Sequence, residues 1–75
     1  MDGAAVRQRL LDSLMERIEG DTYPSPTMMD HVEGALRTRE QVLAYAETLL
    51  EKIDASRYPS SSMINRLYAV LDRVE

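Results

Sequence analysis

The fold is decided by the stretch LMERIEGDTYPSPTMMDHVEGALRTR, residues 14–39, because it recurs as LLEKIDASRYPSSSMINRLYAVLDRV at residues 49–74. The offset is 35 residues without a gap, and 8 of the 26 aligned positions are identical. The tripeptide Tyr-Pro-Ser stands in the middle of both copies. A period of this length is typical of a duplicated supersecondary unit. The recurrence therefore predicts two structural units of the same kind in tandem.

Each copy contains two segments in which apolar residues recur at the helical period, separated by a loop at Tyr-Pro-Ser. No segment shows the alternation of polar and apolar residues that is typical of a strand. The sequence therefore predicts an all-α protein of four amphipathic helices, arranged as two tandem αα-hairpin repeats. The first repeat covers residues 4–37 approximately and the second covers residues 38–74, so residues 1–75 form a single helical domain. Within the first repeat, we expect a helix from about residue 4 to residue 19 and another from residue 25 to about residue 37.

Capping residues mark where three of the helices begin. Ser25 precedes a proline and is expected to cap the second helix. Thr38 and Gln41 have the spacing of a capping box, in which each side chain accepts from the other's backbone N–H. Ser60, or a neighbouring serine, is expected to cap the fourth helix. These local signals place the helix starts independently of the apolar pattern.

Two glycines carry structural expectations of their own. Gly20 follows the last periodic residue of the first helix, where a residue in the left-handed conformation often ends a helix. Gly34 lies inside the second helix, where glycine is unfavourable, and its counterpart is the small residue Ala69. This pair of small residues predicts a close approach of helices, either within the bundle or at a dimer seam.

The connections between the predicted helices are short, which favours antiparallel neighbours and an up-down-up-down bundle. Both Tyr-Pro-Ser loops would then lie at one end of the molecule. Two repeats are too few for a stable solenoid, which needs about three. Either the two hairpins close on each other as a four-helix bundle, or a second copy of the chain completes the core.

The composition argues against several classes of function. The chain has 75 residues, no cysteine, one histidine and a net charge of −4. His31 has no partner at metal-ligand spacing, and the sequence has no glycine-rich phosphate loop and no nucleophile motif. We therefore expect no enzyme activity, no metal and no cofactor. The N-terminal residues lack a signal-peptide pattern and no apolar run is long enough for a membrane span, so a cytoplasmic location is expected.

The recurring loops supply the candidate binding residues, since tyrosine offers a rigid aromatic surface and methionine an adaptable one. Tyr68 lies beside the apolar stripe of the fourth helix and is added to this set. Tyr45 lies in the same way beside the stripe of the third helix, and both tyrosines are expected to offer a partner-facing edge. A purely structural interpretation accounts for the same motif: the serine caps, the proline stiffens the loop, and the tyrosine packs on the first helical turn. The candidate partner-binding residues are Tyr23, Pro24, Met28, Tyr58, Pro59, Met63 and Tyr68.

The sequence favours a small non-enzymatic interaction, adaptor or regulatory module that binds a protein partner or a second copy of itself. Contact would be made through the Tyr-Pro-Ser end or through an apolar helix face. The alternative is a nucleic-acid-binding transcriptional regulator that uses residues 60–74 in a helix-turn-helix-like arrangement, with Arg66 among the contacts. The acidic net charge and the length of the preceding loop argue against this alternative.

Overall fold

A computed structural model describes residues 2–75 of the chain. Within that range the protein is all-α, as the periodicity predicts, and contains no strand. The four helices are α1 (Gly3–Gly20), α2 (Pro26–Ala35), α3 (Arg39–Ala55) and α4 (Ser61–Asp72).

The first helix differs at both ends from its prediction. Asp2 caps the N-terminus, and its carboxylate accepts a 2.8 Å hydrogen bond from the backbone N–H of Ala5. At the other end, Gly20 belongs to the helix and does not have a positive φ, so the predicted left-handed cap is wrong. The chain leaves α1 through Asp21, whose backbone is extended and whose N–H donates to the carbonyls of Arg17 and Ile18.

The serine caps are confirmed. Ser25 Oγ accepts a 3.2 Å hydrogen bond from the N–H of Met28, and α2 begins at the next residue. Ser60 Oγ accepts a 3.0 Å bond from the N–H of Met63 in the same way at the start of α4. Each bond satisfies one of the backbone N–H groups that a helix start leaves without an intrahelical acceptor.

The capping box at the start of α3 is also confirmed. The N–H of Gln41 donates to Thr38 Oγ1 at 3.1 Å, and the N–H of Thr38 donates to Gln41 Oε1 at 3.2 Å. Gln41 Oε1 also accepts a 2.7 Å bond from the N–H of Arg37. The N–H groups of Arg37 and Thr38 therefore bond to the side chain of Gln41 and not to carbonyls of α2. The α2 helix ends at Ala35 rather than at the predicted residue 37.

Contacts between Cα atoms group the chain into a first unit that ends at Ala35 and a second unit, Leu36–Glu75. In the first unit α1 contacts α2, and in the second unit α3 contacts α4. Two hydrogen bonds join the start of α3 to the end of α4: Arg39 in α3 donates to the carbonyl of Val74, beyond the end of α4, and Arg73 donates to the carbonyl of Leu36. The 35-residue hairpin repeat, the single domain and the up-down order of the four helices stay predictions.

Buried apolar side chains occur in both units. Tyr45 is fully buried, so the expectation that it forms a partner-facing edge is wrong. Three residues further along α3, Thr48 is buried and its hydroxyl donates to the carbonyl of Ala44 at 3.2 Å. The buried hydrophobic residues are Leu11, Ile18, Met29 and Val32 in the first unit, and Leu36, Val42, Tyr45, Ala46, Leu49 and Val70 in the second.

Gly34 does not mark a close helix approach. A Cβ atom built on Gly34 would have no neighbouring heavy atom within 4 Å, so the space beside it is open. Its counterpart Ala69 is exposed as well. The expectation of close packing at these two positions is therefore wrong within each unit, and a seam with a second copy stays a prediction.

Candidate partner-binding loops

Each unit contains one connection of five residues in which Tyr-Pro-Ser stands last, residues 21–25 and residues 56–60. We call these segments the first and second Tyr-Pro-Ser loops. Their backbones are fixed at both ends by hydrogen bonds. The N–H of Asp21 and the N–H of Ser56 donate to carbonyls of the preceding helix, and the two capping serines accept from the following one. The loops are therefore short, and their backbones are anchored at both ends.

The tyrosines of the two loops point into solvent. Tyr23 is 86% exposed and Tyr58 is 85% exposed. A side chain that packs on the first helical turn would be largely covered, so the expectation that these tyrosines act as hydrophobic staples is wrong. The capping interpretation explains the serines and leaves the tyrosine rings without a packing role in the folded chain.

The other residues of the predicted site differ in exposure. Pro24 is buried, whereas Pro59 in the matching position is exposed. Met28 and Met63, three residues after the capping serines, are both half-buried. In each unit, therefore, a largely exposed tyrosine and a half-covered methionine stand five residues apart in sequence, and only the second loop also exposes its proline.

Tyr68 lies on the body of α4, ten residues beyond Tyr58, and is 67% exposed. It is therefore an exposed aromatic residue of the second unit that does not belong to a loop. Sequence reasoning did not select Leu43 and Leu50 of α3, which are 36% and 48% exposed in the same unit. A signal for them existed, since they lie seven residues apart and so on the same side of the helix.

In the first unit, Val6 and Leu10 of α1 are 48% and 58% exposed. Every residue from 3 to 10 is exposed, so the first turns of α1 contribute no buried side chain. The sequence indicates this irregularity, because Val6 and Leu10 are the residues at which the apolar pattern of α1 departs from that of α3.

The charges beside the two tyrosines differ. The first loop contains the carboxylate of Asp21, and the second contains the guanidinium of Arg57, with no other charged residue in either. What the loops share is an uncharged aromatic surface with one phenolic hydroxyl, which can both donate and accept a hydrogen bond. Such a surface combines a large apolar ring with a polar group.

Within residues 2–75, no group of three or more His, Cys, Asp or Glu side chains is placed to hold a metal ion. None of the four described helices combines the length and the apolar character that crossing a bilayer requires.

The helix-turn-helix alternative rests on α4, and the structure shows two features of that region. Arg66, one of its candidate contacts, is half-buried. The connection between α3 and α4 has five residues, longer than the three or four that are typical of helix-turn-helix units. The nucleic-acid hypothesis stays an untested prediction.

Comparison of the chain with models of known protein families, with curated protein sequences and with solved structures found no match.

Proposed function

We propose that this protein is a small, non-enzymatic interaction module of the cytoplasm that binds a protein partner through the tyrosines of its two Tyr-Pro-Ser loops. The observation that supports the proposal is the exposure of Tyr23 and Tyr58, at 86% and 85%, on loops whose backbones are anchored at both ends. Both copies of the sequence keep this combination.

The energetics of an exposed tyrosine favour a binding role. Covering an aromatic side chain of this size typically stabilises a complex by about 1.5–3 kcal/mol. A tyrosine has only two side-chain torsions to fix, so the entropic cost of its contact is low. Because the loops already hold their backbones in place, a partner gains this burial without having to order the segment first.

Protein interfaces have the composition that these loops offer. Tyrosine and methionine are enriched at the centres of interfaces, while lysine and glutamate are depleted there. Isolated exposed apolar residues are common on protein surfaces and indicate nothing by themselves. The proposal therefore depends on the recurrence of the tyrosine with a half-buried methionine, Met28 or Met63, five residues further on.

The partner is either a different protein or a second copy of the chain, and light scattering separates the two. A single scattering mass of about 8.5 kDa over a wide concentration range indicates that the partner is a different protein. A mass that rises with concentration in the wild type, and not in the Tyr23→Ala/Tyr58→Ala variant, indicates self-association through the loops.

The direct test is affinity capture from the native host with three tagged forms of the chain. They are the wild type, the double variant Tyr23→Ala/Tyr58→Ala, and the control Leu43→Ala/Leu50→Ala, which removes exposed apolar surface from α3 instead. We expect a protein that the wild type and the control retain and the loop variant loses. Retention by the loop variant, or loss by the control alone, would show that the binding surface lies elsewhere.

A further inference from the structure

Two helix faces outside the Tyr-Pro-Ser loops carry exposed aliphatic side chains. Among residues 2–75, the large aliphatic residues with exposed side chains are Val6 and Leu10 of α1 and Leu43 and Leu50 of α3. The first pair is four residues apart and the second is seven apart, so each pair lies on one side of its helix. Neither pair belongs to the buried core of its own unit, so both faces require another explanation.

In α3 the two leucines alternate with carboxylates. Glu40, Leu43, Glu47, Leu50 and Asp54 follow one another at spacings of three and four residues, and all five are exposed. This is the heptad spacing at which side chains form a single row along a helix, and we call the row the α3 seam. Two α3 seams packed together would bring carboxylates into contact, which is unfavourable. The α3 seam therefore fits a partner helix that carries positive charge.

The first turns of α1 have the complementary composition. Residues 3–10 contain Val6, Leu10 and two arginines, Arg7 and Arg9, and no acidic residue. Arg9 lies three residues after Val6, and Arg7 lies three residues before Leu10, so each aliphatic side chain has a guanidinium neighbour on the helix surface. We call these four residues the α1 patch. Its positive charge beside aliphatic surface matches the negative charge beside aliphatic surface on α3.

The first turns of α1 also lack packing within their own unit. Every residue from 3 to 10 is exposed, and Asp2 supplies a cap but no apolar contact. Most helical stability in proteins comes from the packing of an apolar face rather than from intrinsic propensity. A second helix on the α1 patch would therefore stabilise these turns.

We propose that the α1 patch of one copy packs on the α3 seam of a second copy. Every chain carries both surfaces, so two chains can exchange the contact and close as a two-fold dimer. In that dimer the guanidinium groups of each chain lie beside carboxylates of the other, and the exposed aliphatic side chains are covered. The contact includes neither Tyr23 nor Tyr58, so it is independent of the binding role proposed for the loops.

Light scattering and sedimentation velocity of the full chain, from micromolar to millimolar concentration, test for the dimer. The mass should rise from 8.5 kDa toward twice that value. Leu43→Ala/Leu50→Ala removes aliphatic surface from the α3 seam and should raise the dissociation constant about tenfold or more. The control Tyr23→Ala/Tyr58→Ala should associate as the wild type does.

A mass of one chain at every concentration would overturn the proposal and leave the α3 seam to a basic helix of another protein. Association that the loop variant loses and the seam variant keeps would also overturn it, because the contact would then lie at the loops.

An exchange of charges locates the contact. One variant carries Arg7→Glu/Arg9→Glu, and the other carries Glu47→Lys/Asp54→Lys. Each variant alone brings like charges together and should associate at least about tenfold more weakly than the wild type. An equimolar mixture has opposite charges at both contacts of the mixed dimer and should regain association close to that of the wild type. A mixture that associates no better than its components would overturn the proposal.

General charge effects predict a different result for the α3 variant. Glu47→Lys/Asp54→Lys brings the formal net charge from −4 to 0, which lessens the repulsion between chains and favours association. The proposed contact instead requires weaker association from the same variant. Association as strong as that of the wild type would therefore contradict the contact.

Hydrogen exchange of the wild-type chain requires no substitution. The amides of residues 6–10 should exchange more slowly as the concentration rises, because packing suppresses local opening of the first turns of α1. Exchange that does not change over a range in which the mass rises would place the contact elsewhere and overturn the proposal. The fold and stability of the variants are compared at low micromolar concentration, where the chain is monomeric and a dimer does not contribute.

Discussion

The two Tyr-Pro-Ser loops, residues 21–25 and 56–60, share a capping serine and a tyrosine that is about 85% exposed, while the helices around them differ at matched positions. Leu10 in α1 is 58% exposed, and Tyr45, 35 residues later in α3, is fully buried. The 35-residue correspondence therefore extends to the loops and the helix starts more closely than to the burial of side chains. Features that stay constant while the packing changes are the better candidates for a shared role.

The prolines sharpen this comparison. Pro24 is buried and Pro59 is exposed, although both precede a capping serine and follow an exposed tyrosine. Burial of the proline ring is thus not required for the tyrosine to point into solvent. The common element reduces to the tyrosine and the serine, and only the serine has a structural explanation in the cap.

Of the substitutions considered, those at Leu10 and Tyr45, 35 residues apart, should differ most in the free energy of unfolding that they remove. Tyr45→Ala removes a fully buried aromatic ring and should lower the free energy of unfolding by about 3–5 kcal/mol, whereas Leu10→Ala should change it by about 0.5 kcal/mol or less. Urea denaturation followed by circular dichroism measures both. Similar losses for the two variants would show that the copies pack alike and would invalidate the comparison.

The serine caps should instead behave alike in both copies. Ser25→Ala and Ser60→Ala each remove an acceptor for a backbone N–H at a helix start and should each cost about 1 kcal/mol. Ser61→Ala, which alters the serine next to the second cap, is the control and should have a smaller effect. If one cap proved neutral and the other costly, the loops would not be equivalent.

Gly34 and Ala69 show how the open space beside α2 affects stability. Gly34→Ala should raise the free energy of unfolding by about 0.5–1 kcal/mol, because alanine is the better helix former and its Cβ would meet no atom within 4 Å. Ala69→Gly should lower it by a similar amount. Destabilisation by Gly34→Ala, growing with protein concentration, would reveal a second copy packed against this position.

Local features of the fold could be predicted from the sequence, because the interactions that determine them are local. The caps at Ser25, Thr38 and Ser60 each depend on a side chain and a backbone N–H three residues away. The predictions of where the helices end were less accurate. The last residues of the predicted fourth helix, to residue 74, form tighter turns in which the N–H groups of Arg73 and Val74 bond to carbonyls three residues back, so α4 ends at Asp72.

Burial could not be predicted at the same level. Tyr45 and Tyr68 lie at similar positions beside their apolar stripes, yet one is fully buried and the other is 67% exposed. Helical period places a residue on a side of its helix but does not say which side is covered, because that depends on tertiary packing. The cavity that Arg37, Arg39 and Arg73 line in the second unit was missed for the same reason. Arg37 and Arg73 are 36 residues apart in sequence and come together only in the folded second unit.

The double variant Tyr23→Ala/Tyr58→Ala should have the smallest effect on stability. It also gives the most direct test of the proposed function. Both rings are about 85% exposed, so each substitution should change the free energy of unfolding by no more than about 0.5 kcal/mol. Calorimetric titration of the captured partner into the same samples should show an affinity at least about tenfold weaker than for the wild type. Unchanged affinity with unchanged stability, or a loss of stability above about 2 kcal/mol, would contradict a binding role for the loops.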